Sequence, residues 1–481
     1  MFQNLLDSNF ILAADSYKVG HRLHLPAGTR KIHSNVVARK PFVDQDHNIK
    51  INEIVVLGPQ IVSEILRSTK ITNNMIDEAE TEITEQGYEF PRAEWESLLD
   101  LGYLPLKVRA VPEGTVIPVG LPIMSVENTD DRFPWLPAYV ETWVQDIVWV
   151  MTTIASKVRY LRKQVNKFCE ITGTPVETAE YMVHNFGDRG AGGRDRALMA
   201  GIAHAVFFSG SDCLEANRFI KRLYNTTLPT LSSVDANEHS VVCANSDCEA
   251  RDDSAAFKMS LETLDRVVKQ ANRGIGIPLI SSLIDTFDDE RYIKEFVIPN
   301  HERIKETGGK YVCRPDSGNA VKKPVEVVEW LLDGVYPVWS ERNEKGFQTL
   351  PPHLGVIQGD GLKLHNFKQI FDLATIRKLA ASNFVFGFGG GMTNGSGRDD
   401  FSFSMKATAR MDKDGIWRDM QKMPKTDADK VSLKGRATVL GVDGGVVLGQ
   451  VGQLGDIMQV IYENGASQVT TFENVRKRAR E

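Results

Sequence analysis

The chain is poor in several things at once, and each shortage removes a class of function. No apolar run approaches the roughly 20 residues that cross a bilayer. The start, MFQNLLDSNF, lacks the basic residues and long apolar core of a secretory signal, so a cytoplasmic protein is expected. Cysteine is scarce: Cys169, Cys213, Cys243, Cys248 and Cys313 are odd in number, widely spread and contain no C-x-x-C pair. That pattern excludes a disulfide framework and reads as reduced thiols. Cys243, Cys248 and nearby His239 have the wrong spacing for a zinc knuckle. Basic charge is not in excess either. A net charge of −6 argues against a nucleic-acid binder, so any phosphate site must be local. Neither G-x-G-x-x-G nor a Walker lysine is present, and no repeat or low-complexity linker appears.

What is present is a series of short apolar runs that each end in a polar or glycine cluster: YMVHNFGDRG, GIPLISSLID, YVCRPDSGN, LGVIQGDG and FVFGFGGG. In a parallel α/β sheet or barrel, ligand-binding groups collect at the carboxyl ends of successive strands, so such endings point to one shared pocket. Between them lie helical patterns, KVRYLRKQVNKFCEI, RDRALMAGIAHAVF, LETLDRVVKQAN, DERYIKEFV, PVEVVEWLLDG and FKQIFDLATIRKLA, so residues 145–398 read as repeated βα units. Residues 1–144 carry one helical stretch (ITNNMIDEAETEITEQ) and turn-punctuated extended runs, and residues 399–481 return to alternating strands, hairpin turns and a charged terminal helix. The expected architecture is an α/β barrel over 145–398, with a mixed β-rich α+β domain formed by 1–144 together with 399–481.

The strand endings carry chemistry suited to a phosphorylated sugar. Gly389, Gly390 and Gly391 leave backbone N–H groups able to face a phosphate, although a glycine run also serves as a plain tight turn; Arg398 follows shortly. Arg314 offers a fork to phosphate oxygens and Asp316, two residues on, a carboxylate to sugar hydroxyls, with a structural ion pair as the alternative. Gly359-Asp360 is a glycine-flanked carboxylate or a simple turn. His239 beside Glu238 is an imidazole able to act as acid, base or phosphate acceptor, or a structural histidine.

Taken together, DSYKVGH at 15–21, HNFGDRG at 184–190, the SGSD ending at Asp212, EHS at 238–240, RPDSGN at 314–319, QGDG at 358–361 and GFGGG at 387–391 resemble the nicotinamide phosphoribosyltransferases in order and spacing. The resemblance runs from Asp15 to the KGR at 434–436. It implies a type II phosphoribosyltransferase fold, an irregular α/β barrel plus a mixed domain, assembled as a head-to-tail homodimer with shared active sites. It also implies transfer of phosphoribose from phosphoribosyl pyrophosphate to nicotinamide, with Mg²⁺ on the pyrophosphate and ATP phosphorylating the matching histidine.

Residue by residue, the resemblance implies that Phe186 and Tyr17 of the second subunit sandwich the pyridine ring and that Asp212 accepts a hydrogen bond from the carboxamide. Arg189, His239 and Arg314 match the residues that hold pyrophosphate. Arg314, Asp316, Gly359 and Asp360 match the ribose site, and Gly389, Gly390 and Arg398 the 5′-phosphate site. Arg39, Lys406 and Lys422 match cations contributed by the partner subunit. His239, Asp316 and Asp285 are the catalytic candidates. The chain departs from the vertebrate pattern at Asp188, where that form has an aromatic, and at Asp235, where it has proline; it is also shorter after Arg39. Two rivals stand beside this reading: a nicotinate phosphoribosyltransferase, against which Asp212 argues, and a catalytically silent binding protein of the same fold.

Overall fold

The two patterns of hydrophobicity fold into two seven-stranded sheets of opposite kind in the computed structural model, which describes residues 9–227, 230–359, 361–426 and 430–481. The five apolar runs become strands Val183–Asn185, Leu279–Leu283, Lys310–Arg314, Leu354–Gln358 and Phe384–Gly387. Every pairing among them is parallel. Two strands of two residues each, Asp235–Ala236 and Gly210–Ser211, form the edges. Those edges approach each other through one segment. Ser232 bridges to Gly210, and Asp235 and Ala236 pair with Ile280 and Ser281, which curls the sheet into an irregular barrel. The strands are buried, as Leu354–Gln358 is at every position, and so are the polar residues that they carry, His184, Asn185, Ser281 and Ser282.

The other sheet is antiparallel and draws on both ends of the chain. Its order is Trp417–Asp419, Ser404–Met411, Lys31–Val37, Pro122–Asn128, Leu106–Ala110, Gln459–Glu463 and Ala466–Ser467. Leu106–Ala110 alternates buried and half-buried residues, the period-two signature of a sheet with one covered face.

A 32-residue helix, Glu141–Thr172, is the common wall. It packs against Arg194–Ala205 and Leu364–Ile376 on one side and Pro59–Ser68 on the other, and it stops where Gly173 takes a left-handed φ of 72°. Phe168 from this helix stacks on Phe371 at 4.5 Å, beside Phe367, Phe384 and Phe386. Each fully buried ring of this kind contributes about 1.5–3 kcal/mol of burial free energy. The six helical patterns of the central region all fold as helices, and the terminal helix is Phe472–Arg480. Helices Tyr17–His24, Pro59–Ser68 and Arg92–Leu101 were not expected from the sequence. Pro59–Ser68 buries Gln60 and Ser63 as well as Ile61, Val62, Ile65 and Leu66 and turns Glu64, Arg67 and Ser68 outward.

Candidate active site

The carboxyl ends of the parallel strands open into a cavity of about 1330 Å³. Phe186 stands just beyond strand Val183–Asn185 and lines it. The neighbouring strand makes room: a Cβ on Gly387 would lie 2.4 Å from the Phe186 ring, so glycine is required there. Asp212 follows the edge strand Gly210–Ser211, its backbone N–H donating to the Asn185 carbonyl at 3.1 Å. Its Oδ1 accepts from His184 Nε2 at 2.8 Å and from Ser233 Oγ at 2.5 Å. Burial pushes this carboxyl up, but the bonds from His184 and Ser233, helped by Arg314, outweigh burial and hold it below the ordinary aspartate value. An aromatic ring and a stabilised carboxylate thus share one wall.

The facing strands supply a second cluster. His239 opens the short helix His239–Asn245. Its Nε2 lies 3.4 Å from Asp285 Oδ1 and its Nδ1 3.8 Å from Asp316 Oδ2. The Asp285 side chain is only 3% exposed; Oδ2 accepts the Asp316 backbone N–H at 3.0 Å, whereas buried Oδ1 has no hydrogen-bond partner. The imidazole is the group placed to satisfy it. Arg314 donates to the Asn237 carbonyl, and Asn237 is tied to the next strand by bonds to Leu283 N and Ser282 Oγ, both at 2.9 Å. Burial pulls Arg314 below the usual guanidinium value against the opposing charges of Asp316, Asp212 and Asp285. Gly359 lets its strand pass close to this group, since a Cβ there would meet Asp316 Oδ1 at 2.6 Å. Asp360 lies outside the described residues.

The cavity therefore gathers Phe186, Arg189, Asp212, His239, Arg314, Asp316, Gly359, Gly389 and Gly390 on one surface, with Asp285 directly behind His239. It does not gather the rest. Tyr17 is 53% exposed, and Arg39 donates to Ser402 O and Oγ at 2.8 and 2.9 Å. Lys406 bonds the Met405 carbonyl, Lys422 is exposed, and Arg398 pairs with Asp399 at 3.2 Å. None of these five lines the cavity. Sequence reasoning passed over His184, Ser233 and Asn237, which orient the charged groups, and Lys157, a buried cation on the cavity wall that donates to Gly395 O and Asp400 Oδ2, both at 2.7 Å. His184 stood within a quoted motif, two residues before Phe186; Lys157 lies inside a long helix with no local mark.

Comparison with known proteins decides the family. Residues 181–465 match the model of the nicotinate phosphoribosyltransferase (NAPRTase) family. The chain belongs to this family. It is accordingly a phosphoribosyltransferase, an enzyme of the pentosyltransferase class. Residues 9–108 match a second model, the N-terminal domain of nicotinamide phosphoribosyltransferase. Two curated relatives carry that name: a protein of Xanthomonas campestris pv. campestris (strain 8004), 32% identical with 98% of each chain covered, and one of Acinetobacter baylyi, 27% identical with 98% of this chain and 97% of the relative covered. The resemblance read from the motifs is therefore a family relationship along nearly the whole chain.

Two solved structures share the fold. Nicotinate-nucleotide pyrophosphorylase from Pyrococcus furiosus superimposes with a TM-score of 0.60 at 16% identity, covering 98% of this chain and 95% of that one. Human nicotinic acid phosphoribosyltransferase does so at 0.55 and 14%, covering 97% and 92%. The barrel with its added antiparallel sheet is thus the type II phosphoribosyltransferase fold. Among the described residues, no helix is long and apolar enough to cross a membrane.

Proposed function

We propose that the protein transfers the phosphoribosyl group of phosphoribosyl pyrophosphate to the ring nitrogen of nicotinamide, releasing pyrophosphate and forming nicotinamide mononucleotide, as a step of NAD salvage in the cytoplasm. One observation carries the choice of base: an Asp212 carboxylate held ionised by His184 and Ser233, on the same wall as Phe186. Both of those bonds fall on Oδ1, which directs Oδ2 to a ligand donor such as a carboxamide N–H. Nicotinate would set its own carboxylate against this one, a repulsion of several kcal/mol in a shielded site. The names of the curated relatives support the same substrate.

The pyridine nitrogen is neutral and already nucleophilic, so the reaction needs orientation and charge stabilisation more than a base. As the C1–pyrophosphate bond breaks, positive charge grows on C1 and the ring oxygen while the electron pair leaves with pyrophosphate. Asp316, with Asp360, holds the ribose hydroxyls; Arg189 and Arg314 take the pyrophosphate; the backbone at Gly389 and Gly390 takes the 5′-phosphate. The Asp316 carboxylate on the cavity wall would hold Mg²⁺ arriving with the substrate, which would neutralise the leaving group, while Asp285 positions His239 from behind. His239 is the phosphate acceptor from ATP: its ring nitrogen attacks the terminal phosphorus and ADP departs. The flanking carboxylates of Asp285 and Asp316 stabilise the positive charge that the ring then carries. Tyr17, Arg39, Lys406 and Lys422 complete the site of a second copy in a homodimer.

The experiment is to incubate the protein with phosphoribosyl pyrophosphate, Mg²⁺ and either nicotinamide or nicotinate, with and without ATP, and to weigh the products. Mononucleotide from nicotinamide is expected, stimulated by ATP in the wild type and unstimulated in His239→Ala. Product from nicotinate alone would reverse the assignment of Asp212. Full ATP stimulation of His239→Ala would remove the phosphohistidine step.

A further inference from the structure

Three side chains at the rim of the cavity form a cluster that the transfer reaction does not use. Asp44 ends strand Phe42–Asp44, and His47 lies in the turn that leads to strand Ile49–Ile51. His365 sits more than 300 residues later, in the first turn of helix Leu364–Ile376. Each offers one ligand atom, and those atoms lie within 4.8 Å of one another. Among the described residues no other three His, Cys, Asp or Glu side chains do so. All three border the same cavity as Phe186 and Asp316.

The three side chains are already in contact with one another. His47 Nδ1 stands 2.9 Å from both oxygens of Asp44. The His47 and His365 rings lie face to face, with centroids 3.5 Å apart and planes 2° from parallel. A metal lies in the plane of each imidazole that ligates it, so these parallel rings must turn out of the stack to face one ion. Two ligand atoms each about 2.1 Å from a tetrahedral ion stand about 3.4 Å apart, so donor atoms within 4.8 Å of one another are near enough to share one ion once the rings turn.

We propose that Asp44, His47 and His365 bind one borderline divalent transition-metal ion, of the Zn²⁺ or Co²⁺ type, with water completing its coordination. The donor set decides the class. Two imidazole nitrogens and one carboxylate suit these ions, whereas Mg²⁺ prefers an all-oxygen shell, so this site is separate from the Mg²⁺ carried by pyrophosphate. Occupancy ties the Phe42–Ile51 hairpin to the segment after Gly359, two pieces of chain that both border the cavity mouth. The proposal does not rest on which base the enzyme uses.

The test takes the untagged full-length chain, stripped with chelator, and titrates it with Co²⁺, followed by visible ligand-field absorption and equilibrium dialysis. One Co²⁺ per chain is expected, displaced by Zn²⁺ and unaffected by a large excess of Mg²⁺. His47→Ala and His365→Ala should each weaken binding by about tenfold or more, while Cys243→Ser with Cys248→Ser leaves it unchanged. Both histidines are partly exposed, so the variants should retain the wild-type melting temperature without metal and lose the rise that Co²⁺ gives the wild type. Absence of a stoichiometric cobalt spectrum, or wild-type affinity in both histidine variants, would overturn the proposal.

Discussion

The parallel and antiparallel sheets carry similar numbers of strands and very different densities of chemistry. A strand such as Leu354–Gln358 is buried at every residue, so charged groups appear only at its ends, as Lys310 and Arg314 do in the neighbouring strand. The cavity residues Phe186, Arg314, Asp316, Gly359 and Gly389 sit at or just past such stops. The antiparallel sheet has a wetter face, and its charges stand in mutual pairs: Arg109 with Asp456 at 2.7 Å and Lys107 with Glu463 at 3.1 Å. A charge at the end of a buried strand therefore points to function far more than a charge within a half-solvated one.

The sharpest way to break this contrast is to remove a strand-end group. Asp316→Ala should lower kcat/KM by about a thousandfold, or about 4 kcal/mol, since ribose orientation is lost when the barrier is crossed; steady-state kinetics with saturating Mg²⁺ reads it. A loss of only a few-fold would place the chemistry elsewhere. Asp212→Asn should act on one substrate. The nicotinamide KM rises about ten- to a hundredfold because a charged acceptor becomes a neutral one, while the discrimination against nicotinate shrinks. If nicotinate remained as poor a substrate as before, Asp212 would not be the selector.

The antiparallel sheet enters through the proposed second subunit, and a complementation experiment measures that share. In a homodimer whose sites pair Tyr17 of one chain with Asp212 of the other, each Tyr17→Ala plus Asp212→Ala hybrid has one intact site. Statistical mixing of two inactive variants should then restore about a quarter of wild-type activity. No recovery after subunit exchange has been demonstrated by mass would leave the shared site without support.

Legibility in the sequence follows the same division. The five central strands could be read because the buried segments that hold them are rich in apolar residues, and the helices between them because each keeps one apolar stripe. Strands Gly210–Ser211 and Asp235–Ala236, which bring the barrel edges together, could not be read. Two residues carry no period, and Asp235 and Ala236 are exposed. At the site, Asp316, Arg314 and His239 stood out by type and position, and Phe186 and Asp212 through the family motifs. The groups that orient them did not: His184 and Ser233 converge on Asp212 from positions 28 and 21 residues away. Asp44, His47 and His365 meet only because a hairpin from the start of the chain lies over the end of the barrel. Local patterns report burial and strand ends, whereas convergence of distant side chains is a property of the tertiary fold.

The smallest expected effect concerns how the strand under Asp212 is held. His204 is fully buried and donates Nε2–H to the Gly210 carbonyl at 2.9 Å; in the antiparallel sheet the equally buried His33 has a carboxylate, Glu127, as its partner. Burial pushes the His204 pKa down to about 3 from an ordinary value of 6.5, with His184 and Arg476 acting the same way. The folded state thus keeps it neutral, while the unfolded chain takes up a proton as pH falls below about 6.5. The unfolded state binds more protons across that window, so the stabilisation is complete above pH 6.5 and is lost towards pH 3, at about 1.4 kcal/mol per pH unit once the unfolded histidine is protonated. His204→Gln keeps an amide donor able to reach the Gly210 carbonyl and removes the titration. Urea unfolding between pH 5 and 7 should give this variant a flatter stability profile than the wild type, and equal slopes would mean that His204 is not the group whose neutrality holds this strand in place.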